Sequence, residues 1–543
     1  MSDTTISTHA LPTREAPPPR PNLDAGGSFA GALVIVALIL IGLGVTLRGL
    51  ITDIASSGAP PVATGAFVML GLALLIALAF EFVNGFHDTA NAVATVIYTH
   101  SLAPQIAVVW SGVFNFLGVL TSSGAVAFAI VSLLPVELIL QVGQGAGFAM
   151  IFALLIAAII WNLGTWALGL PASSSHTLIG SIIGVGVANE LMAKAGSGVS
   201  GVDWSQAMGV FRALLFSPLV GFVCSALVYV AMRAVIRSNA LYTAPTTRDP
   251  PPLWIRGLLV LTCTAVSFAH GSNDGQKGMG LIMLILIGAV PTAYALNRAV
   301  PDSHVPAFIA ATQQVQQVFE ARAGGNTVPT GPAREQITDA LKLRKVDSPV
   351  VYASLATLAG DIGEQVKGYG SLSHVPAAAV ENIRNEMFVV DEAIRDLQKQ
   401  KVAFTPPEAS AIKAYKAALD DSTKFIPTWV KVAVAVALGL GTMVGWKRIV
   451  VTVGEKIGKT HMTYGQGASA ELVAAATIAA ADMYGLPVST THVLSSGIAG
   501  TMAASGAGLQ WSTVRSIALA WILTLPAAII LSGSLYFFLR SVM

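Results

Sequence analysis

The chain has 543 residues, of which 54% are hydrophobic and only 11% are charged, and its mean hydropathy is +0.69. No water-soluble domain covers that much apolar surface, so the composition excludes a soluble globular protein and indicates a polytopic membrane protein. The formal net charge of +2 indicates no particular partner, and we do not expect the protein to bind nucleic acid.

The N-terminal region contains a tail and then a first apolar run. Residues 1–29 are rich in Pro, Thr and Ala, and this composition predicts a disordered tail. The run over residues 30–52 is long enough to span a bilayer. Since it lacks the short apolar core and the cleavage site of a signal peptide, we expect an uncleaved span.

Ten further apolar segments of spanning length follow, and together they predict an all-α fold. They cover residues 64–98, 104–134, 144–168, 171–190, 206–236, 254–297, 427–446, 465–484, 487–505 and 512–540. Polar clusters at 84–91 and 270–277 interrupt the two longest segments, and we expect a broken helix in each. Broken helices with polar centres are typical of binding sites in secondary transporters.

A polar block at residues 298–424 separates the segment 254–297 from the segment 427–446. It carries 29 of the 60 formal charges, and stretches such as 376–402 have helical periodicity. We interpret this block as a small helical domain inserted in a loop.

One phrase occurs twice, as Leu-Pro-Ala-Ser-Ser-Ser-His-Thr at 170–177 and as Leu-Pro-Val-Ser-Thr-Thr-His at 486–492. A helix that begins at such a phrase presents free backbone N–H groups together with hydroxyl donors, which suits a tetrahedral oxyanion. Helix capping by the hydroxyls is the structural alternative. The candidate anion ligands in the two copies are Ser173, Ser174, Ser175, Thr177, Ser489, Thr490 and Thr491.

The spacing of the polar motifs indicates a duplication. Asp88 precedes Pro171 by 83 residues and Asp274 precedes Pro487 by 213, and the difference of 130 nearly equals the 127 residues of the insert. We predict two repeats of about five membrane segments, and an odd number of crossings makes the second repeat inverted. The repeats cover 64–236 and, divided by the insert 298–424, 254–297 with 427–543; the span 30–52 is additional.

Ionisable residues inside the apolar segments are the candidates for coupling to an ion, since a buried charge is costly unless it is paired, solvated or used. Asp88 and Asp274 occupy matching repeat positions and could hold a cation or exchange a proton; contact with a neighbouring helix is the alternative. His87 could relay protons to Asp88 or simply orient it. Lys277 could pair with Asp274 or touch an anion. Glu81 and Glu471 are each either a structural partner or a coupling site.

These motifs resemble those of the PiT family of inorganic phosphate transporters, and most closely those of its bacterial low-affinity members. The resemblance rests on Gly-Phe-His-Asp-Thr-Ala-Asn at 85–91, on Ala-His-Gly-Ser-Asn-Asp-Gly-Gln-Lys-Gly at 269–278, on the two hydroxyl phrases and on Gly-Glu-Lys-Ile-Gly-Lys at 454–459. It implies cation-coupled phosphate symport, with Asn91 and Asn273 joining the two aspartates and the hydroxyls as ligands. Bacterial members are similar in using protons and in taking up phosphate as a neutral complex with a divalent metal such as Mg²⁺.

Two departures from the family pattern bear on the coupling ion. His87 replaces an asparagine of the first motif, and Gln276-Lys277 replaces Ala-Asn in the second. A lost amide ligand and a fixed ammonium both weaken a sodium site, so we expect protons to drive transport.

The sequence therefore predicts a phosphate:proton symporter of a bacterial inner membrane that works by alternating access and contains no bound cofactor. Nothing in the motifs indicates an enzyme. A sodium-coupled carrier, a carrier of sulfate or arsenate, and a non-transporting membrane receptor are the alternatives. The sequence does not decide between a monomer and a homo-oligomer.

Overall fold

The computed structural model describes residues 20–23, 29–58, 63–88, 90–133, 145–193, 201–202 and 204–543. The predicted tail, 1–29, lies almost wholly outside these residues. Within them the chain is helical and contains no β-strand beyond one isolated bridge, between Gly458 and Leu509, which confirms the all-α class.

The helices fall into a first half, an insert and a second half. The first half contains α1 (Phe29–Ser56), α2 (Thr64–Asp88), α3 (Ala90–Tyr98), α4 (Pro104–Thr121), α5 (Ala125–Val131), α6 (Gly145–Ala167), α7 (Ser174–Met192) and α8 (Trp204–Val235). After α9 (Asn239–Tyr242) come α10 (Leu253–Ala289) and α11 (Pro291–Tyr294). The insert contains α12 (Val305–Ala323), α13 (Thr330–Leu343), α14 (Pro349–Tyr369), α15 (Ala377–Lys399) and α16 (Pro406–Thr423). The second half resumes with α17 (Thr428–Thr442), α18 (Lys447–Glu455), α19 (Tyr464–Met483), α20 (Thr490–Ser505) and α21 (Trp511–Val542).

Seven helices of the described chain are long and apolar enough to cross a membrane, or eight if the bent pair α16–α17 forms one span. The segments predicted at 171–190, 427–446, 465–484 and 487–505 are not among the seven. They are short or rich in Gly, Ala, Ser and Thr, which lowers their hydropathy. Most residues of α7 and α20 are buried against other helices, so protein rather than lipid surrounds them.

The predicted break in the segment 254–297 is wrong, because α10 runs unbroken for 37 residues through its polar cluster. The polar side chains there find partners on neighbouring helices, so the backbone need not unwind to satisfy them. At the first cluster, α2 ends at Asp88 and α3 begins at Ala90. Residue 89 between them lies outside the described residues.

Two helical hairpins lie among the longer helices. Residues 168–173 join α6 to α7, residues 484–489 join α19 to α20, and the helices of each pair pack together. The halves also exchange partners: α4 packs on α10 as α17 packs on α2, and α20 packs on α8 as α7 packs on α21. Two related repeats would pack in this reciprocal way, while their opposite orientation in a membrane stays a prediction.

Glycines allow the polar segments of α2 and α10 to approach their neighbours closely. A Cβ at Gly85 would lie 2.4 Å from the Leu438 carbonyl oxygen, and one at Gly271 would lie 2.1 Å from the Asn115 carbonyl oxygen. Only glycine fits where two helix backbones come this near. Both glycines precede an aspartate, Asp88 or Asp274, by three residues, so these crossings fix where the two carboxylates lie.

The insert has a hydrophobic core of its own, built from buried residues of α12 to α16. Its two ends are held together, since the Asn297 N–H donates to the Ser422 carbonyl at 2.8 Å and the Asn297 amide donates to the Asp421 carbonyl at 2.9 Å. Helix α1 stands outside both halves and packs on α17, where the Trp429 indole N–H donates to Asp53 at 2.8 Å.

Candidate functional site

The two hydroxyl phrases form the tips of the two hairpins, and each begins a helix. The Ser173 hydroxyl accepts the His176 N–H at 3.2 Å, and the Ser489 hydroxyl accepts the His492 N–H at 3.2 Å. Both serines therefore cap their helices, which is the structural role that the sequence left open for them.

The two tips meet each other in the interior. The Ser175 hydroxyl donates to the Val488 carbonyl of the opposite tip at 2.9 Å. The rings of His176 and His492 are 4.5 Å apart between centroids, and His492 stacks on Trp521 at 4.0 Å. The N-terminal ends of α7 and α20, with their positive helix dipoles, are thus brought to one place.

The first acid, Asp88, is joined to the second tip. The Thr491 hydroxyl donates to Asp88 Oδ1 at 2.5 Å, across 403 residues of sequence. His87 lies beside the same oxygen, with 3.2 Å from Nδ1 to Oδ1, and its Nε2 is 3.0 Å from the Thr165 hydroxyl. All four side chains are buried.

The second acid, Asp274, is joined to the first tip through Lys277. The Lys277 ammonium is 2.6 Å from Asp274 Oδ1 and also donates to the Ser175 hydroxyl. His270 Nε2 lies 3.5 Å from the other carboxylate oxygen. Because Ser175 and Thr491 occupy the same position in the two phrases, each acid is connected to the opposite repeat's tip at an equivalent point.

The two acids are also close to each other. Among the described residues, Asp88, His270 and Asp274 offer one ligand atom each, and the three atoms lie within 4.8 Å of one another. Two carboxylates and an imidazole can hold a cation between them. The same carboxylates can instead exchange protons, so this cluster suits either kind of coupling.

Several predicted residues lie elsewhere or make other contacts. Glu471 bonds to the hydroxyls of Thr95 and Thr262, the latter at 2.5 Å, and ties α19 to α3 and α10 rather than joining the acids. The Thr177 hydroxyl donates within its own helix, to the Ser173 carbonyl at 2.9 Å. The side chain of Asn91 lies outside the described residues.

The remaining predicted ligands line the tips. The Asn273 amide donates to the Leu486 carbonyl at 3.2 Å, and the Ser174 hydroxyl accepts from Asn162 at 3.3 Å. Five buried atoms near the tips have no hydrogen-bond partner among the described residues: Asn162 Oδ1, His176 Nδ1, Asn273 Oδ1, Thr490 Oγ1 and His492 Nε2. Unsatisfied buried polar atoms are rare in folded proteins, and a bound ligand is one way to satisfy them.

The fold also brings to the site Glu81, which the sequence offers as a structural partner or a coupling residue, and Asp482, which sequence reasoning did not select. Glu81 packs against Gly278 of α10, next to Lys277, and accepts a bond from Asn84 at 3.4 Å. Asp482 accepts from the Ser272 hydroxyl at 2.7 Å and from the Gln276 amide at 2.5 Å, which fastens α19 to α10. Glu81 and Asn84 stand in the same polar segment as Asp88, and that proximity was the available signal.

Comparison with known proteins gives consistent matches. A sequence model described as "Phosphate transporter family" matches residues 84–532. The low-affinity inorganic phosphate transporters PitA and PitB of Escherichia coli K12 are 44% and 40% identical to the chain; the alignments cover 86% and 87% of it and 96% and 97% of those proteins. A low-affinity inorganic phosphate transporter of Buchnera aphidicola subsp. Acyrthosiphon pisum is 39% identical over 86% of the chain and 96% of its own length.

One solved structure resembles the chain. It is described as the sodium-dependent phosphate transporter, is 19% identical, and has a TM-score of 0.48 over 88% of this chain and 100% of its own. A similarity of this size carries no argument about the coupling ion.

Proposed function

The chain belongs to the phosphate transporter family, and we propose on that basis that it takes up inorganic phosphate with low affinity by proton-coupled symport. It is a multi-pass membrane transporter and not an enzyme. The single observation that carries the mechanism is the reciprocal connection of each acid to the opposite tip, Asp88 to Thr491 and Asp274 through Lys277 to Ser175.

Phosphate binding is assigned to the place where the two tips meet. Two helix N-termini converge there, and hydroxyls and amide groups with unsatisfied atoms surround them. Neutral donors hold a tetrahedral oxyanion without trapping it, and the Lys277 ammonium that contacts Ser175 is itself neutralised by Asp274. The proposed phosphate ligands are Ser174, Ser175, Thr490 and Asn273. Thr491, whose hydroxyl donates to Asp88, couples phosphate binding to that carboxylate.

Proton coupling is assigned to the two aspartates. The Lys277 ammonium neutralises Asp274 and opposes a second cation there by Coulomb repulsion, which supports protons over sodium ions. His87, in contact with both Asp88 and Thr165, provides a route for a proton to that carboxylate.

Phosphate is proposed to travel as a neutral complex with a divalent metal ion. The three ligand atoms of Asp88, His270 and Asp274 support this assignment, since they could coordinate the metal of such a complex beside the tips. The phosphate that arrives with the metal offsets the repulsion from Lys277 that a bare cation meets. The metal is then cargo rather than a resident cofactor.

Alternating access is proposed as the transport cycle. The exchange of partners between the halves supports an inverted pair of repeats around a central site. With each acid bonded to the opposite tip, protonation or phosphate binding in one repeat changes a contact made by the other repeat. A change at the site therefore alters contacts in both halves.

Uptake of labelled phosphate by proteoliposomes tests the proposal. We expect accumulation with an inward proton gradient and magnesium, and its loss in the variants Asp88→Asn and Asp274→Asn. Asp249→Asn, in an exposed loop, is the matched control. Near-wild-type uptake by both site variants would contradict the assignment of the acids.

The same assay separates the rivals. Accumulation that needs sodium and ignores a protonophore would refute proton coupling. Sulfate competing as strongly as arsenate, which is nearly isosteric with phosphate, would indicate a carrier of another oxyanion.

A further inference from the structure

A cavity of about 350 Å³ lies between the insert and the membrane-spanning helices. Its floor is apolar and comes from α5 and α10, including Phe128, Met283 and Ile287. Its roof comes from α15 and α16 and is ionic. The charged lining residues are Arg384, Asp391, Glu392, Arg395, Asp420 and Lys424.

Arg384 is the unusual member of this lining. Its side chain is only 7% exposed, yet no carboxylate among the described residues lies within ion-pair distance of it. One guanidinium nitrogen donates to the neighbouring Asn385 at 3.1 Å, and the group lies over the Phe388 ring at 4.7 Å. Burial lowers the pKa of Arg384 to about 10, so the group is still charged at neutral pH. Glu381 and Glu392 attract the guanidinium only from a longer distance, so no carboxylate pairs with it directly. A buried charge without a direct partner is costly, and an anion in the cavity would lower that cost.

The other charges around the cavity are already paired. Lys424 contacts Asp391 at 2.9 Å and also Asp420, and Lys416 contacts Asp391 at 2.5 Å. Arg395 pairs with Glu392. The lining itself carries three cations, Arg384, Arg395 and Lys424, and three carboxylates, Asp391, Glu392 and Asp420, so its formal charges balance. Burial also raises the pKa of Glu392 to about 7, so this carboxyl is partly neutral at physiological pH and the balance of the lining then shifts towards positive charge.

The cavity shares a wall with the second hairpin tip. Ala125 lines the cavity, and a Cβ at Gly485 of the tip would lie 3.4 Å from the Ala125 Cβ. The next residue, Val126, donates its N–H to Gln276 at 2.9 Å, and Gln276 lies in the polar segment of α10 beside Lys277. Helix α5 thus contacts both the cavity and residues of the candidate transport site.

We propose that this cavity binds a phosphate group, with the Arg384 guanidinium as the principal ligand and Lys424 and Arg395 beside it. A guanidinium fork matches the oxygens of a tetrahedral oxyanion, and a nearby ammonium adds a point charge. The choice of phosphate among anions rests on the proposed function. Free phosphate and the head group of an anionic lipid present the same chemistry, and the apolar floor accommodates either.

Binding measurements on the purified full-length chain test the proposal. One arm measures equilibrium binding of labelled inorganic phosphate in detergent, and the other measures retention of phosphatidylglycerol in nanodiscs of phosphatidylcholine with added phosphatidylglycerol. Asp88→Asn and Asp274→Asn are present throughout, so that the transport site is constant. We expect Arg384→Gln to weaken binding about tenfold in one arm, as loss of a charge-assisted contact does, and that arm identifies the source of the phosphate group.

Three further variants make the result interpretable. Lys413→Gln removes an exposed charge from α16 and should bind as its parent, while Arg384→Lys should recover part of the affinity. Ala129→Trp fills the cavity from the opposite wall without changing the ionic roof, so it should weaken binding at least as much as Arg384→Gln does. It provides the test if Arg384→Gln fails to fold. Binding by Arg384→Gln or by folded Ala129→Trp that equals Lys413→Gln in both arms would overturn the proposal.

Failure of this proposal and failure of the proposed function give different results. Phosphate uptake by the wild-type chain without any Arg384-dependent binding refutes the cavity site alone. Arg384-dependent binding without uptake refutes phosphate transport and leaves the cavity site in place.

Discussion

Lys277 makes the candidate site asymmetric at the level of single residues. Its buried ammonium bonds to Asp274 and to Ser175, so it joins the acid of one repeat to the tip of the other. Asp88 reaches its tip directly, through the neutral Thr491 hydroxyl. Spacing along α10 gave the pairing of Lys277 with Asp274 as one of two alternatives, but nothing local predicted the contact with Ser175, which lies 102 residues away.

Removing the Lys277 charge should therefore damage the fold as well as transport. We expect Lys277→Gln to destabilise the protein by about 3–5 kcal/mol, because it leaves a buried carboxylate uncompensated. The double variant Lys277→Gln with Asp274→Asn should regain the thermal stability but not the uptake. Thermal unfolding in detergent, followed by size-exclusion chromatography, measures this, and a double variant no more stable than the single one would contradict it.

Glu392 gives the insert a dependence on pH. Burial raises its pKa from 4.5 to about 7, and Arg395 offsets only part of that shift. The unfolded chain then loses this proton at lower pH than the folded chain does, so stability is lost as pH rises from about 4.5 through 7. We expect hydrogen exchange of the α15 amides, corrected for intrinsic rates, to report this loss in the intact protein.

The matched substitutions should differ in that experiment. Glu392→Gln should remove most of the pH dependence, whereas Glu364→Gln, which changes an exposed carboxylate of the same insert, should leave it intact. Equal slopes in the two variants would refute the role of Glu392.

At the scale of whole helices, two crossings position the acids. Helix α2 crosses α17 at Gly85, and α10 crosses α4 at Gly271, each one turn before its aspartate. The repeated glycine is visible in the sequence, but the carbonyl that it touches is not. Other contacts of α10 explain why its predicted break is absent. Its polar side chains form hydrogen bonds with α4, α5 and α19, so the helix need not unwind to satisfy them.

A methyl group at one of these crossings should disrupt the site. We expect Gly271→Ala to lower folded yield and phosphate uptake together, because its Cβ would meet the Asn115 carbonyl oxygen at 2.1 Å and the backbones must separate. Gly257→Ala lies on the same helix with nothing within 4 Å of its Cβ and should behave as wild type. Uptake per folded molecule in proteoliposomes measures both, and equal uptake by the two variants would contradict the expectation.

At the scale of the molecule, the sequence predicted the helical class, the family and the repeated motifs, because each depends on a pattern within a few residues or on a spacing. It did not predict which acid meets which tip, since those contacts join residues up to 403 apart and depend on packing. The ionic roof of the cavity between the insert and the membrane helices was not predicted, for the same reason. The insert was recognised by its charge, while its separate core and its joined ends are properties of the folded chain.

Replacing residues 298–420 by a short Gly-Ser linker should leave a working transporter. The insert has its own core, and Asn297 already lies within hydrogen-bond distance of residues 421 and 422, so a short linker closes the gap without strain. We expect membrane insertion and most of the maximal uptake to remain. A folded but inactive deletion variant would show that the insert takes part in transport itself.

The encounter of two helix N-termini at the hairpin tips also bears on how the carrier behaves when it is empty. The positive ends of α7 and α20 face a common point, so in the absence of an anion they repel each other. A bound oxyanion attracts both positive helix ends and so stabilises the packing of the two hairpins around it. The bound anion then stabilises the centre of the protein. A carrier without anion should be less rigid and melt at a lower temperature than one with anion, and the difference should increase with the logarithm of the anion concentration above its Kd.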